Sequence, residues 1–405
     1  MNVALRVTAG AALLSTVAFA QPSYAFEPTN NPVADAFLKA LEGSDGTSVS
    51  YGGSSSAGKD VTFTDLKVAF ENDEGKGTVT IGTAELVNGA LGADDVLTAD
   101  AINLDSFKLT EEESQAELTF ATGTITNPTI PTEFGGDDAA SQVAEVADYD
   151  KAEFEGLVFT DENGSGLPIS KVMLEVTKRI DGKPRGGVLA VDDLVIKADA
   201  IDDPDTKQRL SELGYDEIVL DLDGSGDWNS DDGTLTLDTF KIDAKDMGSL
   251  TVTGQFMGFT PAVLAKLQAN NSDLNQLMQA LQDASIGVIS VRFDDASITS
   301  KALDYTAKEQ DQSRSELVDE MVGQVNGLLA MLDNASFQKQ VTDAVSTFLN
   351  DPQSLEIAAK PANPVPVPQV VGTVMMSPQT LPSVLSVAVT ANEPASEEAT
   401  SGDQQ

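Results

Sequence analysis

The chain has neither cysteine nor histidine among its 405 residues. Without a thiol or an imidazole it lacks the commonest nucleophile and base pairings and the softer metal ligands. Disulfides are excluded as a source of stability, and so is lipid attachment to a cysteine after an export signal. Aromatic residues make up only 5%, with one tryptophan. That leaves few platforms for sugar rings and too few for the interfacial girdles of a membrane β-barrel. Positive charge is scarce as well: 24 Lys and Arg stand against 65 Asp and Glu, a formal net charge of −41. Such a field repels nucleic acid and anionic headgroups, keeps the chain soluble and favours calcium or magnesium at the surface. For catalysis there remain a carboxylate pair, a Ser-Lys dyad or an oxygen-held metal. With so many acids, closeness of two carboxylates carries no information, and no Ser-x-x-Lys lies in a convincing strand-to-helix context. The chain is not expected to be an enzyme.

What is present begins with an export signal. Arg6 supplies a positive start, and Val7 to Phe19 is an apolar run shorter than the ~18 residues a membrane span needs. Pro22 ends any helix, and Ser23-Tyr24-Ala25 offers small residues for cleavage after Ala25, with Ala18-Phe19-Ala20 as the alternative site, after Ala20. Residues 1–25 are therefore expected to be a signal peptide, and the mature chain to be periplasmic or secreted with no transmembrane segment. Roughly 380 mature residues can bury a sizeable core without crosslinks.

Changes in hydrophobic period mark the layout. Asn31 to Leu41 reads as an amphipathic helix with Pro32 in its first turn, Val33, Phe37, Leu38 and Leu41 on one face, and Gly43 as its stop. From Asp60 to about Ala200 the pattern alternates instead, as in Val61-Thr62-Phe63-Thr64-Asp65-Leu66, which predicts strands. Three segments share an apolar alternation with an Asp inside it: Val96 to Leu104, Val188 to Ile196 and Leu235 to Ile242. They suggest a duplicated hairpin unit, with chance likeness among acidic strands as the other explanation. A helix runs from Pro204 to a glycine stop at Gly214, followed by a long hairpin.

From Thr260 the period becomes helical. Thr260-Pro261 and Asn271-Ser272 cap two helices. Gly287 to Asp294 returns to strand, and Ser300 to Asn350 is mostly helix in three parts, with Leu317, Met321, Val325 and Leu328 spaced for a buried stripe. Pro361, Pro364, Pro366 and Pro368 predict an extended polyproline-like connector. Val370 to Met375 and Leu385 to Val389 follow as two edge strands, and the acidic tail from Asn392 to Gln405 is expected to be disordered.

One segment has the spacing of a metal site. Asp221, Asp223, Ser225, Asp227, Asn229 and Asp232, with Gly226 at the sixth place, match much of a calcium loop, and calcium takes six to eight hard oxygens. Calcium is thus the one cofactor candidate. Against it, the flanks read as strands, Asp232 is shorter than the usual bidentate glutamate, and period two runs through the segment. Leu220, Leu222, Gly224, Gly226 and Trp228 fall on one face, and the acids on the other. The plainer structure is a hairpin turning at Asn229 to Gly233. Asp161 to Gly166 lacks the spacing and reads as a loop.

Leu213-Gly214-Tyr215 leading into Ile218-Val219-Leu220, then Trp228, Gly233 to Leu237, Gly248 to Val252 and Gly258, resembles the hairpin series of the AsmA-like and YdgA-like envelope proteins of Gram-negative bacteria. The likeness covers about a sixth of the chain. It implies a long curved sheet with a concave apolar face, in a family whose AsmA-like members are implicated in moving or accommodating lipids between two membranes. This chain departs from that pattern in its cleavable signal and its helical block.

The fold class expected is α+β: a long curved antiparallel sheet of repeated hairpins with a helical block near the C-terminus. Residues 26–259 are taken as a β-rich hairpin domain with short helices. Residues 260–391 are taken as a helical block with terminal strands packed on the same sheet, and 392–405 as the disordered tail. Two function classes remain: a binding or scaffold module holding lipid or another apolar ligand, and a structural or interaction protein of the periplasm or cell surface, with calcium dependence and an envelope protein partner as its variants.

Overall fold

The computed structural model describes residues 26–42, 47–72, 75–92, 95–132, 148–201, 203–269 and 274–394. The expected signal peptide, the Asn271-Ser272 cap and nearly all of the acidic tail lie outside the described residues. The chain divides into two compact units, Met1–Arg179 with Gly187–Ile196, and Ile180–Gly186 with Lys197–Gln405. Residue 259, where the sequence places a change from hairpins to a helical block, lies inside the second unit.

The first unit opens with α1 (Pro32–Glu42), followed by β1 (Thr47–Ser50), β2 (Gly53–Ala57), β3 (Asp60–Asn72) and β4 (Gly75–Val87). Then come β5 (Ala90–Leu91), β6 (Val96–Thr98), β7 (Ala101–Glu111), β8 (Glu117–Thr126), β9 (Thr129–Pro131), β10 (Lys151–Thr160), β11 (Gly166–Ile180) and β12 (Lys183–Lys197). α1 starts where the sequence says it should, because Asn31 Oδ1 accepts from the Val33 amide at 2.9 Å and Pro32 needs no donor there. Its buried stripe of Ala34, Phe37 and Leu38 lands on the long strands, with Phe37 stacked on Phe63 at 5.8 Å. Small sheet β5-β6-β9 adds Leu97 and Ile130 to the same buried cluster. The inward face of β3, β4, β7, β8 and β10 is thus covered, and Phe107 stacks on Phe120 at 4.3 Å beneath that cover.

Strict alternation does not hold along these strands. On β3 the buried residues are Val61 and Phe63, then Leu66 and Val68; on β4 Ile81 is followed by Ala84; on β7 Leu104 by Phe107; on β10 Phe154 by Leu157. Each strand skips one beat, and the skipped residues face one another: Asp65 lies opposite Gly82, Gly82 opposite Ser106, Ser106 opposite Ala121 and Ala121 opposite Gly156. On β3, β7 and β10, every second strand of the order β3-β4-β7-β8-β10, the residue in question is left-handed, Asp65 at φ 50°, Ser106 at 58° and Gly156 at 65°, and β12, two strands further on, also carries a left-handed residue, Asp193 at 50°. A single extra residue bulges one strand against its neighbour. Here every strand from β3 to β10 carries one at the same level, so the ladder stays in register and a transverse seam results.

The second unit contains α2 (Pro204–Glu212), β13 (Glu217–Asn229), β14 (Thr234–Ala244), β15 (Gly248–Met257), α3 (Pro261–Ala269), α4 (Leu274–Ala280) and β16 (Ser285–Asp295). After these come α5 (Ile298–Glu309), α6 (Arg314–Ala330), α7 (Ala335–Asn350), β17 (Ser354–Ala359), β18 (Val365–Pro366), α8 (Val367–Met376), α9 (Leu381–Val384) and β19 (Val387–Ala391). The three expected helices between Ser300 and Asn350 are α5 to α7. Ser313 and Glu316 form a capping box at the start of α6. Leu303, Leu317, Val318, Phe348 and Leu349 form the core of the block, with Phe348 edge-on to Phe293 of β16 at 6.1 Å.

Apart from β5, β6 and β9, the strands form a 16-stranded sheet of order β1-β3-β4-β7-β8-β10-β11-β12-β13-β14-β15-β16-β17-β19, with β2 on β3 and β18 on β16, antiparallel at every pairing described. The polyproline connector and the strand at Val370 to Met375 are not what forms: Pro366 caps α8 and Pro368 lies in its first turn. A proline fixes φ near the helical value, and first-turn amides have no partner within the helix to lose.

Candidate binding face

The six residues spaced for calcium lie as follows. Asp221, Asp223, Ser225, Asp227 and Asn229 are all on β13, opposite Asp243, Lys241, Thr239, Thr236 and Thr234 of β14. At ~3.3 Å per residue an extended strand sets Asp221 and Asp227 about 20 Å apart, whereas calcium ligands sit at ~2.3–2.6 Å from one ion. Asp232 is in the turn, where its carboxylate accepts from the Thr234 amide at 2.9 Å, and that hydrogen bond holds its pKa below the usual carboxylate value. Asn229 Oδ1 accepts from the Asp231 amide at 3.1 Å. These are the side-chain to backbone bonds of a hairpin turn. Among the described residues no group of three or more acids is arranged to hold a metal ion.

The other side of the same strands is different in kind. Trp228 opposes Leu235, Leu222 opposes Ile242, and Gly224 opposes Phe240. The row continues from Phe240 to Val252 of β15, Val291 of β16, Ile357 of β17 and Val389 of β19. Directly opposed residues share a face, so one apolar surface runs across β13 to β19. Two irregularities keep it intact. β14 has one extra residue between Leu237 and Phe240, and β16 one between Ile286 and Ile289, so the apolar set returns to the same side each time. Gly226 sits at the first of these, where a Cβ would come within 2.4 Å of the Thr236 carbonyl.

This face is only partly covered. The helical block closes on the row of Phe293, Leu355 and Ala391. One row further, Val291 is 37% exposed and Ile357 50%, and Leu235 and Leu250 are each 38% exposed on the same side. In the first unit, by contrast, Phe63, Leu66 and Phe107 of the long strands are almost fully buried. The reverse side of the second unit carries its charges: Lys241 Nζ to Asp243 at 2.6 Å, Arg292 to Asp294 at 2.7 Å and to Glu356 at 3.5 Å, with Ser290 Oγ donating to Glu356 at 2.8 Å. Hydrogen bonding to Asp243 raises the Lys241 pKa, and the bond to Asp294 raises that of Arg292. Trp228 marks one end of the open face. Its indole N–H donates to the Phe259 carbonyl at 2.8 Å, and the Arg185 guanidinium lies 5.0 Å from its ring centre.

Leucine, isoleucine, valine, phenylalanine and glycine offer neither a proton nor a nucleophile. Such a surface acts through area and shape, at about 0.8 kcal/mol for each methylene removed from water. The irregularities that maintain it escaped the sequence reading, although the three-residue spacings Leu237 to Phe240 and Ile286 to Ile289 are visible signals for them. A family model described as "Uncharacterized protein" matches residues 241–392, a span lying wholly within the second unit. No curated protein matches the chain.

Proposed function

We propose that this is a non-enzymatic exported envelope protein of a Gram-negative bacterium, a binding module whose second-unit sheet accommodates an acyl chain or a similar apolar ligand. The observation that carries this reading is the open apolar face, from Trp228 and Leu235 across to Val291 and Ile357, left half-exposed beside a helical block that covers only one end of it. A soluble protein keeps so continuous an apolar surface exposed where something binds to it. The likeness of the β13 to β15 hairpins to those of AsmA-like and YdgA-like proteins supports the same reading.

Mass spectrometry of organic extracts from the purified protein tests it. Lipid is expected at a stoichiometric level in the wild type and is expected to fall several-fold in Leu235→Ser/Ile357→Ser, which exchanges two exposed apolar groups for polar ones. Protein free of lipid, or unchanged lipid content in the double variant, overturns the assignment in favour of an interaction protein with no small ligand.

A further inference from the structure

Lys360 and Glu393 bracket the longest uncharged stretch of the chain: Pro361 to Asn392 contains no Asp, Glu, Lys or Arg, in a protein that is 22% charged. This stretch forms β18, α8, α9 and β19. Although Val365 and Val389 of this stretch are buried, it also carries some of the most exposed large apolar side chains among the described residues, Met375 at 79% and Met376 at 86%. A second pair lies at the end of α6, where the stripe expected to be buried from Leu317 to Leu328 runs out to the surface, with Leu328 at 69% and Met331 at 83% exposed. The two helix ends are tied together, since Asn334 Nδ2, just after α6, donates to the carbonyl of Gln379, just after α8, at 2.8 Å. Met375 and Met376 therefore form an apolar tip on the uncharged element that joins β18 to β19, and the α6 end with Leu328 and Met331, followed by Asp333, is tied to it.

We infer that this tip docks on the surface of an electrically neutral, zwitterionic bilayer. The inference extends the lipid-binding reading, because a carrier must meet a membrane to exchange its ligand, but it stands on separate residues. Charge removes two of the other occupants. At −41 the chain is repelled by a second copy of itself and by anionic bilayers, whereas a zwitterionic surface presents no net charge. Met375 and Met376 sit on a segment with no charge of its own to desolvate, and the charge that follows the α6 end is that of Asp333. Methionine adapts to irregular apolar surroundings, and interfacial helices bury their apolar faces ~5–10 Å into the boundary between headgroups and acyl chains. Interfacial helices that rely on anionic lipid carry lysine and arginine on their polar face. α8 has none, so its attachment is by insertion and does not depend on salt.

The test is flotation of the chain, as recovered from the exporting cell, with phosphatidylcholine vesicles at low and high salt. Wild type is expected to float in both, and less well when phosphatidylglycerol is added to the vesicles. Met375→Glu/Met376→Glu is expected to lower the bound fraction roughly tenfold, with an unchanged melting transition and unchanged copurified lipid. Leu328→Glu is expected to act in the same direction from the other helix end. Wild type that stays unbound, or a double variant that floats like wild type, overturns the inference. So does a concentration-dependent dimer, or a stoichiometric protein partner, that depends on Met375 and Met376 in place of vesicle binding. Flotation without copurified lipid would sink the carrier reading while leaving the docking tip in place.

Discussion

Replacement of Gly156 by valine separates the two demands made by the seam across the first unit. Gly156 has φ 65°, and an added Cβ would stand 3.1 Å from the Ala121 Cβ on the neighbouring strand. The left-handed conformation costs an L side chain about 1–2 kcal/mol, and asparagine tolerates it best. A β-branched side chain adds strain at χ1, and the close contact forces a further shift, so Gly156→Val is expected to cost about 2–4 kcal/mol. Gly156→Asn should cost about 1 kcal/mol, and Gly156→Ala should lie between the two. In an Ala121→Gly background the contact is relieved but the dihedral demand is not. The cost of Gly156→Ala should then fall by a fraction of a kcal/mol without vanishing. Tryptophan fluorescence is the wrong assay, since the only tryptophan, Trp228, lies in the second unit. Amide hydrogen exchange on β8 and β10 reads the site directly. If Gly156→Val protects those amides as well as Gly156→Asn does, backbone handedness does not govern the seam.

Three further outcomes follow from particular contacts. The Asn127 amide, and next the Arg179 guanidinium, hydrogen-bond the Asp150 carboxylate and hold its pKa below the ordinary value. A lowered folded-state pKa stabilises the protein above the unfolded carboxylate pKa of about 4 and is lost as pH falls through the folded value. Arg179→Gln should therefore lower the urea midpoint at neutral pH, and this gap should narrow toward about pH 2; an equal gap at both refutes the linkage. Millimolar calcium should leave the melting temperature unchanged, because the β13 acids are strung along a strand. A bound ion at a hundred times its dissociation constant would add ~2.7 kcal/mol, and a shift of that size abolished by Asp221→Asn/Asp223→Asn would restore the metal reading. Gly327 lies inside α6, where an added Cβ meets nothing within 4 Å. Gly327→Ala should therefore stabilise the second unit by ~0.5–1 kcal/mol in urea unfolding, and any loss of stability would show that the space is not open.

Elements with a local stamp were legible in the sequence. Pro32 with the Phe37 stripe, Pro204 with the Gly214 stop around α2, and the three- and four-residue spacings of α6 and α7 each announce a helix without help from the rest of the fold. The hairpin at Asn229 to Gly233 was readable for the same reason, since two strands flank a cluster of turn residues. α8 was misread because β-branched Val370, Val371 and Val374 favour a strand when taken alone, while the prolines ahead of them preset a helical first turn. The seam was only half visible. Of the three segments with an internal Asp, Val188 to Ile196 and Leu235 to Ile242 do change phase at Asp193 and just after Leu237. In Val96 to Leu104 the acid is a bend between β6 and β7. A chain-wide alternation rule cannot register a beat missed at one level by every strand, since the signal lies between strands and not along any one of them. The incomplete cover of the open face has no signal within the strands, because it depends on where the helices stop.

The left-handed residues at Asp65, Ser106, Gly156 and Asp193 recur on alternate strands, which has a bearing on how such a chain can change length. A hairpin that brings its own marked residue can be inserted or deleted at the growing margin, and its neighbours still find their datum line. A lone strand cannot, because it would put two marked residues, or two unmarked ones, side by side. Relatives of this chain should accordingly differ by whole hairpins, each step adding an even number of strands.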